Sequence, residues 1–147
     1  MTPPKPITVQ EVYDLAEDWF HGVASDESGE SIARLFRHPD ARIHAANGQT
    51  FTLEEHRRLH TKWTDEKHLL GTLHLAPLPD DPPRVRAIGT VYWEAKYIEP
   101  PLSGPNLIKA VAGEDWIIER LPDGRLCFVL YWSSFYHPLP DSAPIRL

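Results

Sequence analysis

The residues Asn106–His137, NLIKAVAGEDWIIERLPDGRLCFVLYWSSFYH, leave the chain little freedom. Two long runs rich in Val, Ile, Trp, Phe and Tyr flank Pro122-Asp123-Gly124. β-branched and aromatic residues suit a pleated surface, and a Pro-Asp-Gly step suits a tight turn. The pattern predicts two long antiparallel strands on which everything upstream must pack. In the second strand both alternations are apolar: Leu126, Phe128, Leu130 and Trp132 in one set, Cys127, Val129 and Tyr131 in the other. A strand with one wet face alternates apolar and polar residues instead. Both faces are therefore expected to be covered, one by helices and one by a second subunit. This predicts a homodimer through the sheet.

The upstream sequence supplies the helices. Thr8 followed by Glu11 is a capping-box pattern, and Val12, Ala16, Trp19, Phe20 and Val23 then share one helical face. Asp26–Gly29 should break this helix. A shorter second helix carries Ile32, Leu35 and Phe36 and stops near Pro39. Asp40–Ala46 and Gln49–Phe51 read as short strands about the Asn47-Gly48 turn. Thr52 with Glu55 opens a third helix expected to reach Asp65, with His56, Leu59, His60 and Trp63 on its inner face. Lys67–Leu78 and Arg84–Ile98 read as strands leading into the hairpin. Helices first and a strand meander after them predict an α+β fold, with three N-terminal helices packed on a curved, mainly antiparallel sheet.

Composition narrows the class. A chain of 147 residues is expected to form a single domain, 1–147. Its prolines cluster at 3–6, 77–83, 100–105 and 138–144, which predicts flexible Pro-rich ends at about 1–7 and 138–147. A net charge of -6 without a basic stripe argues against a nucleic-acid partner. Cys127 is the one cysteine, so an intrachain disulfide and a Cys-rich zinc site are excluded. Its place in an apolar strand reads as a buried, inert thiol. The sequence has neither a signal-peptide pattern nor a long apolar run, so the expectation is a soluble cytoplasmic protein without a membrane partner.

Two segments, LFRHPDARIHAANGQTFT and EDWIIERLPDGRLCFVLYW, occur in an order that resembles the nuclear-transport-factor-2-like superfamily. The similarity is to its SnoaL-like and ketosteroid-isomerase-like branches and spans roughly Val9–Ser134. It implies a cone: a bent antiparallel sheet wrapped around helices, with a deep apolar pocket between them. Members of this superfamily include isomerases, polyketide cyclases, dehydratases, epoxide hydrolases and binding proteins, and many are dimers. In ketosteroid isomerase the general base is an aspartate on the short strand after the second helix. The matching position here is about Ala45, with His44 beside it. The isomerase's oxyanion acid lands on Asp115, a tyrosine of its third helix near His60, and a tryptophan of its last strand on Trp132. Its phenolic donor falls near Trp19 or Phe20, neither of which can replace it. The resemblance thus argues against steroid isomerisation and leaves an altered pocket.

Several residues are candidates for that pocket. Asp115 lies in an otherwise apolar strand, and a carboxyl facing a dry cavity can serve as acid or base; facing solvent, it would merely be solvated. His60 and His44 join it as catalytic candidates, because imidazole moves protons near neutrality. Trp63, Trp132, His74, Trp19, Phe20 and His56 are candidate ligand-binding residues, since ligand pockets are largely apolar with a few convergent polar groups; the alternative for each is ordinary packing. The His56/His60 pair has the i, i+4 spacing of a metal pair, but there is no HExxH pattern and no third ligand is indicated, so no metal and no cofactor are expected. Glu94 reads as an ion-pair partner of Lys96 or Arg86, or as a pocket residue. Two functions fit. One is a cofactor-independent isomerase, cyclase or dehydratase acting by acid–base chemistry on a small apolar organic molecule. The other is a non-catalytic ligand-binding or dimeric scaffold protein.

Overall fold

The computed structural model describes residues 5–25, 29–79 and 81–147. Residues 1–4 of the expected N-terminal arm, and 26–28 of the expected helix break, lie outside the described residues. Helix α1, Val9–Ser25, starts where its capping box predicts. The Thr8 hydroxyl accepts the Glu11 backbone N–H at 3.2 Å, and Glu11 Oε1 accepts the Thr8 N–H at 3.2 Å. Its buried face carries Val12, Leu15, Ala16, Trp19, Phe20 and Val23.

Helix α2, Glu30–Ala33, is a single turn. Leu35 and Phe36, expected to continue it, instead run beside the last strand: Arg37 N–H donates to the Phe128 carbonyl and Phe128 N–H to the Leu35 carbonyl, both at 2.8 Å. Strands β1, Arg42–His44, and β2, Thr50–Thr52, pair through a turn in which Gly48 has φ +87°. Helix α3, Leu53–Leu59, has the full Thr52/Glu55 capping box but stops earlier than expected. A 3-10 turn, His60–Lys62, follows, so Trp63 opens a strand instead of closing a helix.

Four long strands complete the chain: β3, Trp63–Leu78; β4, Arg84–Tyr97; β5, Leu107–Arg120; and β6, Leu126–Pro138. The curved sheet has the order β2-β1-β6-β5-β4-β3. Strand β1 pairs parallel with β6; the other strand neighbours among the described residues are antiparallel, and Phe36 adds an isolated parallel bridge to Phe128. The architecture is α+β, as expected, with one long helix and two short ones. Register shifts interrupt β3 between Leu70 and Leu73, and β6 opposite Ile117/Ile118 and Gly113/Glu114. A bulge adds a residue on one strand and so reverses which later residues face inward.

The main core lies between α1 and the inner sheet face, where Trp19, Trp116, Phe128 and Tyr131 meet. A second cluster joins Trp63, Trp93, Ala95, Ile108, Ala110 and Ala143, with Ile145 and Leu147 against it. The C-terminal residues run extended along this second cluster. Ala143 N–H donates to the Leu107 carbonyl at 2.8 Å, and Tyr97 Oη–H donates to the Pro144 carbonyl at 2.6 Å. Apolar Ala143, Ile145 and Leu147 alternate with prolines and polar residues, so an extended tail buries one side. Among the described residues, no helix is long and apolar enough to cross a membrane.

Candidate functional site

The inner face of β5 is set by its alternation. Ile108, Ala110, Ala112, Trp116 and Ile118 are buried in the two cores. Period two then turns Glu114 inward and Asp115 outward. Glu114 lines a cavity between α1, α3 and the sheet; Asp115 does not. Asp115 is buried on the opposite face because Arg86 covers it, with Nε to Oδ1 at 3.0 Å and Nη2 to Oδ2 at 2.6 Å. This forked pair occupies both carboxylate oxygens. The placement of Asp115 as the pocket acid is thus corrected by one residue.

The cavity is walled by Trp19, Phe20, Phe51, Trp63, Trp93 and Tyr131, with Val23, Ile43 and Val91 among the aliphatic residues. It encloses about 580 Å³ counted out to its mouth, but only about 60 Å³ admits the centre of a water-sized sphere. The smaller figure governs fit, because the larger includes open solvent. The hollow is a slot with room for a few waters. Among the described residues, no Lys or Arg lines it.

Its polar groups form two sets. On the α3/β3 side, His60 Nδ1 lies 2.9 and 3.0 Å from the two oxygens of Glu66, and Trp93 Nε1–H donates to Glu66 Oε1 at 3.2 Å. His60 Nε2 faces His56 Nε2 at 3.3 Å. His68 is stacked on Phe20 with ring centroids 4.5 Å apart. Burial holds His60 down to about 3, His68 down to about 4, and His56 well below the ordinary imidazole range. All three are neutral near pH 7. Burial pushes Glu66 up to about 7.

On the β5/β6 side, burial pushes Glu114 up to about 8, against the opposing hydrogen bonds it accepts. Trp116 Nε1–H donates to its Oε2 at 3.1 Å and Ser133 Oγ–H at 3.5 Å. Tyr131 is held in its phenol form by burial and by the neighbouring Glu114. The arrangement places neutral imidazoles and a largely protonated carboxyl around one apolar slot. Separated proton affinities of this kind assign base and acid roles.

The fold of these walls matches known structures. A hexachlorocyclohexane dehydrochlorinase, LinA-type3, from Novosphingobium barchaimii superposes with a TM-score of 0.65 at 21% identity over 94% of both chains. A provisionally named scytalone dehydratase from Novosphingobium aromaticivorans gives 0.69 at 11% identity, covering 93% of this chain and 88% of that one. An uncharacterised Caulobacter vibrioides protein described as having a cystatin-like fold gives 0.63 at 16% identity over 90% of both chains. The chain has the nuclear-transport-factor-2-like fold. No sequence-family model matches it, and no curated protein is significantly similar to it.

Within this nuclear-transport-factor-2-like cone, the structure brings His60, His56, Trp63, Trp19 and Phe20 to the cavity wall. It places Asp115, His44, His74 and Trp132 outside that wall. Ile43 and Ala45 point inward, so His44 between them points out; it pairs in register with Trp132, and both line a separate outer groove. In β3 the shift between Leu70 and Leu73 reverses the alternation, leaving His68 inside and His74 outside opposite Ile88. In β6 the shift beyond Phe128 leaves Phe128 and Tyr131 inward and Trp132 42% exposed. Glu94 is bonded by Tyr92 Oη–H at 2.6 Å and lies 3.8 Å from Lys67 Nζ, not against Lys96 or Arg86.

Sequence reasoning missed Glu66, His68, Glu114, Tyr131 and Ser133. Glu114 was within reach: extending the alternation of Trp116 and Ile118 backwards gives it. His68 and Tyr131 were not, because bulges leave no mark in composition.

The raised proton affinity of Glu114 has a consequence for stability. The folded state binds this proton more tightly than the unfolded state. The stabilisation is therefore fully present below the ordinary carboxyl value of 4.5 and is lost as pH rises through about 8. The Glu114→Gln variant cannot ionise at this position. Urea unfolding across that window is expected to show wild type losing stability relative to the variant as pH rises, on the order of a few kcal/mol. Parallel curves would contradict the burial of an ionisable carboxyl here.

Proposed function

We propose that this protein is a cofactor-independent acid–base catalyst acting on a small, uncharged, largely apolar organic molecule. Isomerisation, cyclisation and dehydration are the reaction classes it suits. The observation that carries this reading is the pairing of neutral, buried imidazoles with the protonated Glu114 carboxyl in one aromatic slot that no Lys or Arg among the described residues lines. A neutral imidazole can take a proton from the substrate, while a protonated carboxyl supported by Tyr131 can donate to a carbonyl or a leaving oxygen. His68 is the base of this reading and Glu114 the acid. The similar folds named for a dehydrochlorinase and a dehydratase support including elimination. That no Lys or Arg among the described residues lines the wall disfavours carboxylate or phosphate substrates.

A second reading is a ligand-binding or scaffold protein without turnover; the narrow 60 Å³ slot favours it. In both readings the outer sheet face, where Leu69 is 63% and Ile88 and Trp132 are each 42% exposed, serves as a homodimer interface. Sedimentation showing a monomer at micromolar concentration would remove the dimer.

The direct test of catalysis is deuterium exchange. Neutral cyclic ketones are incubated with the protein in D2O, and label at the carbon beside the carbonyl is followed by mass spectrometry. Catalysed exchange that is lost in a His68→Ala variant supports the enzyme. Binding of the same ketones with exchange no faster than buffer would leave the binding-protein reading.

A further inference from the structure

Two histidines of the cavity wall and Glu66 behind them form a chain whose end has no partner among the described residues. Glu66 is bonded to His60 Nδ1, His60 Nε2 to His56 Nε2, and His56 Nδ1 is buried with no hydrogen-bond partner. The Glu66 side chain is 2% exposed and that of His60 is 9% exposed. A buried polar atom without a partner costs stability unless something bonds it. His56 itself lines the cavity.

We propose that His56 Nδ1 is an atom through which the cavity exchanges protons, and that His60 and Glu66 are positioning residues that set its state as a relay running back into β3. The chain has two self-consistent arrangements. With Glu66 ionised, His60 Nδ1–H donates to the carboxylate, His56 Nε2–H donates to His60 Nε2, and His56 Nδ1 presents a lone pair. When His56 Nδ1 takes a proton from a bound molecule, its Nε2 proton passes to His60 Nε2 and the His60 Nδ1 proton passes to Glu66. One proton enters at His56 and one comes to rest on Glu66. Both rings are neutral again, and His56 Nδ1 now presents an N–H.

The relay solves an electrostatic problem. Neither buried ring holds a positive charge easily, since burial keeps His60 at about 3 and His56 well below the ordinary value. Acting alone, His56 would be a feeble base near neutrality. Glu66, which burial lifts to about 7, holds the proton instead. The basicity seen by a ligand at His56 is then that of the carboxyl, two rings away, and it is matched to neutral pH. Other titratable groups on the same wall are His68 of β3, Glu114 of β5, and Tyr131 and Tyr136 of β6. Trp19 and Trp93 pack on the relay without adding charge. Lys62 stays outside, with Nζ 6.0 Å from the Trp63 ring centre.

The use of this relay in turnover rests on the acid–base reading of the cavity; its existence does not, and it can be tested in the free protein. Imidazole nitrogen shifts in 15N-labelled protein report which ring nitrogen carries the proton. Through a pH series spanning neutrality, His56 Nδ1 is expected to change from bare to protonated, with His60 exchanging its proton-bearing nitrogen at the same midpoint. Neither ring should become an imidazolium. The exchange is expected to vanish in Glu66→Gln and to persist in Glu114→Gln. Rings of fixed tautomer in the wild type would overturn the relay whether or not the variants fold, as would an unchanged midpoint in Glu66→Gln. A working relay in a protein that catalyses no exchange would sink the catalytic reading alone. Wild-type rates in Glu66→Gln would sink the relay's role alone.

Discussion

Trp116→Ala is expected to cost about 3–5 kcal/mol in urea unfolding, the range for removing a fully buried large aromatic side chain. Trp116 has no solvent exposure. Its ring lies 5.4 Å from Phe128, 5.5 Å from Tyr131 and 6.5 Å from Phe20. It therefore joins β5, β6 and α1 at one point. The indole also donates to Glu114, so the variant removes a bond from a carboxyl that burial already penalises. Total stability of a domain this size is about 5–15 kcal/mol, so such a loss leaves a marginal protein. Trp132→Ala is the matched comparison: same residue type, same sheet, opposite face. As a monomer it should lose less than about 0.5 kcal/mol, the usual range at a surface site. Any larger effect should depend on protein concentration, because the dimer proposal puts this ring at the subunit interface. Equal losses for the two tryptophans at low concentration would contradict the assigned faces.

The second large effect concerns proton transfer. His68→Ala is expected to lower catalysed deuterium exchange by about 10²-fold, the low end of the usual contribution of a positioned general base, because an imidazole held down to about 4 is a weak base. His68 is held by stacking: Phe20 lies on one neighbouring ring plane at 4.5 Å, and Trp93 stacks at 6.5 Å. It is neutral at working pH because burial outweighs the opposing pull of Glu66. Asp115→Asn is expected to leave the exchange rate within about twofold, an effect well under 1 kcal/mol, since Arg86 holds Asp115 on the far face. A large loss in Asp115→Asn together with a small one in His68→Ala would invert the account.

Only part of this arrangement is legible in the chain. The hairpin at Pro122-Asp123-Gly124, both capping boxes and the Asn47-Gly48 turn are local signals, and local chemistry decided them. Helix α3 fell short of its expected end because the pattern His56, Leu59, His60, Trp63 continues smoothly into a strand. The inward set of a strand edge and that of a helix face can share residues over so short a span. Side-chain facing was legible only where strands were uninterrupted. In β5 the alternation from Ile108 to Ile118 identifies Glu114. In β3 and β6 an extra residue opposite the partner strand reverses it, which exchanged His68 for His74 and Tyr131 for Trp132. Bulges are settled by the pairing of distant strands, a property no short window of sequence carries. The resemblance carried the fold, and its positional matches placed the acid one residue from the carboxyl that lines the cavity.

In the proposed function, the slot between α1, α3 and the sheet receives a small neutral molecule against buried imidazoles. The most direct measurement follows the ring resonances of the histidines while phenol, a neutral single-ring compound, is titrated into 15N-labelled protein. Saturable shifts at His56 and His68, with His44 and His74 unmoved, are the predicted result. Shifts confined to His44 and His74 would place the binding site on the outer face and contradict it.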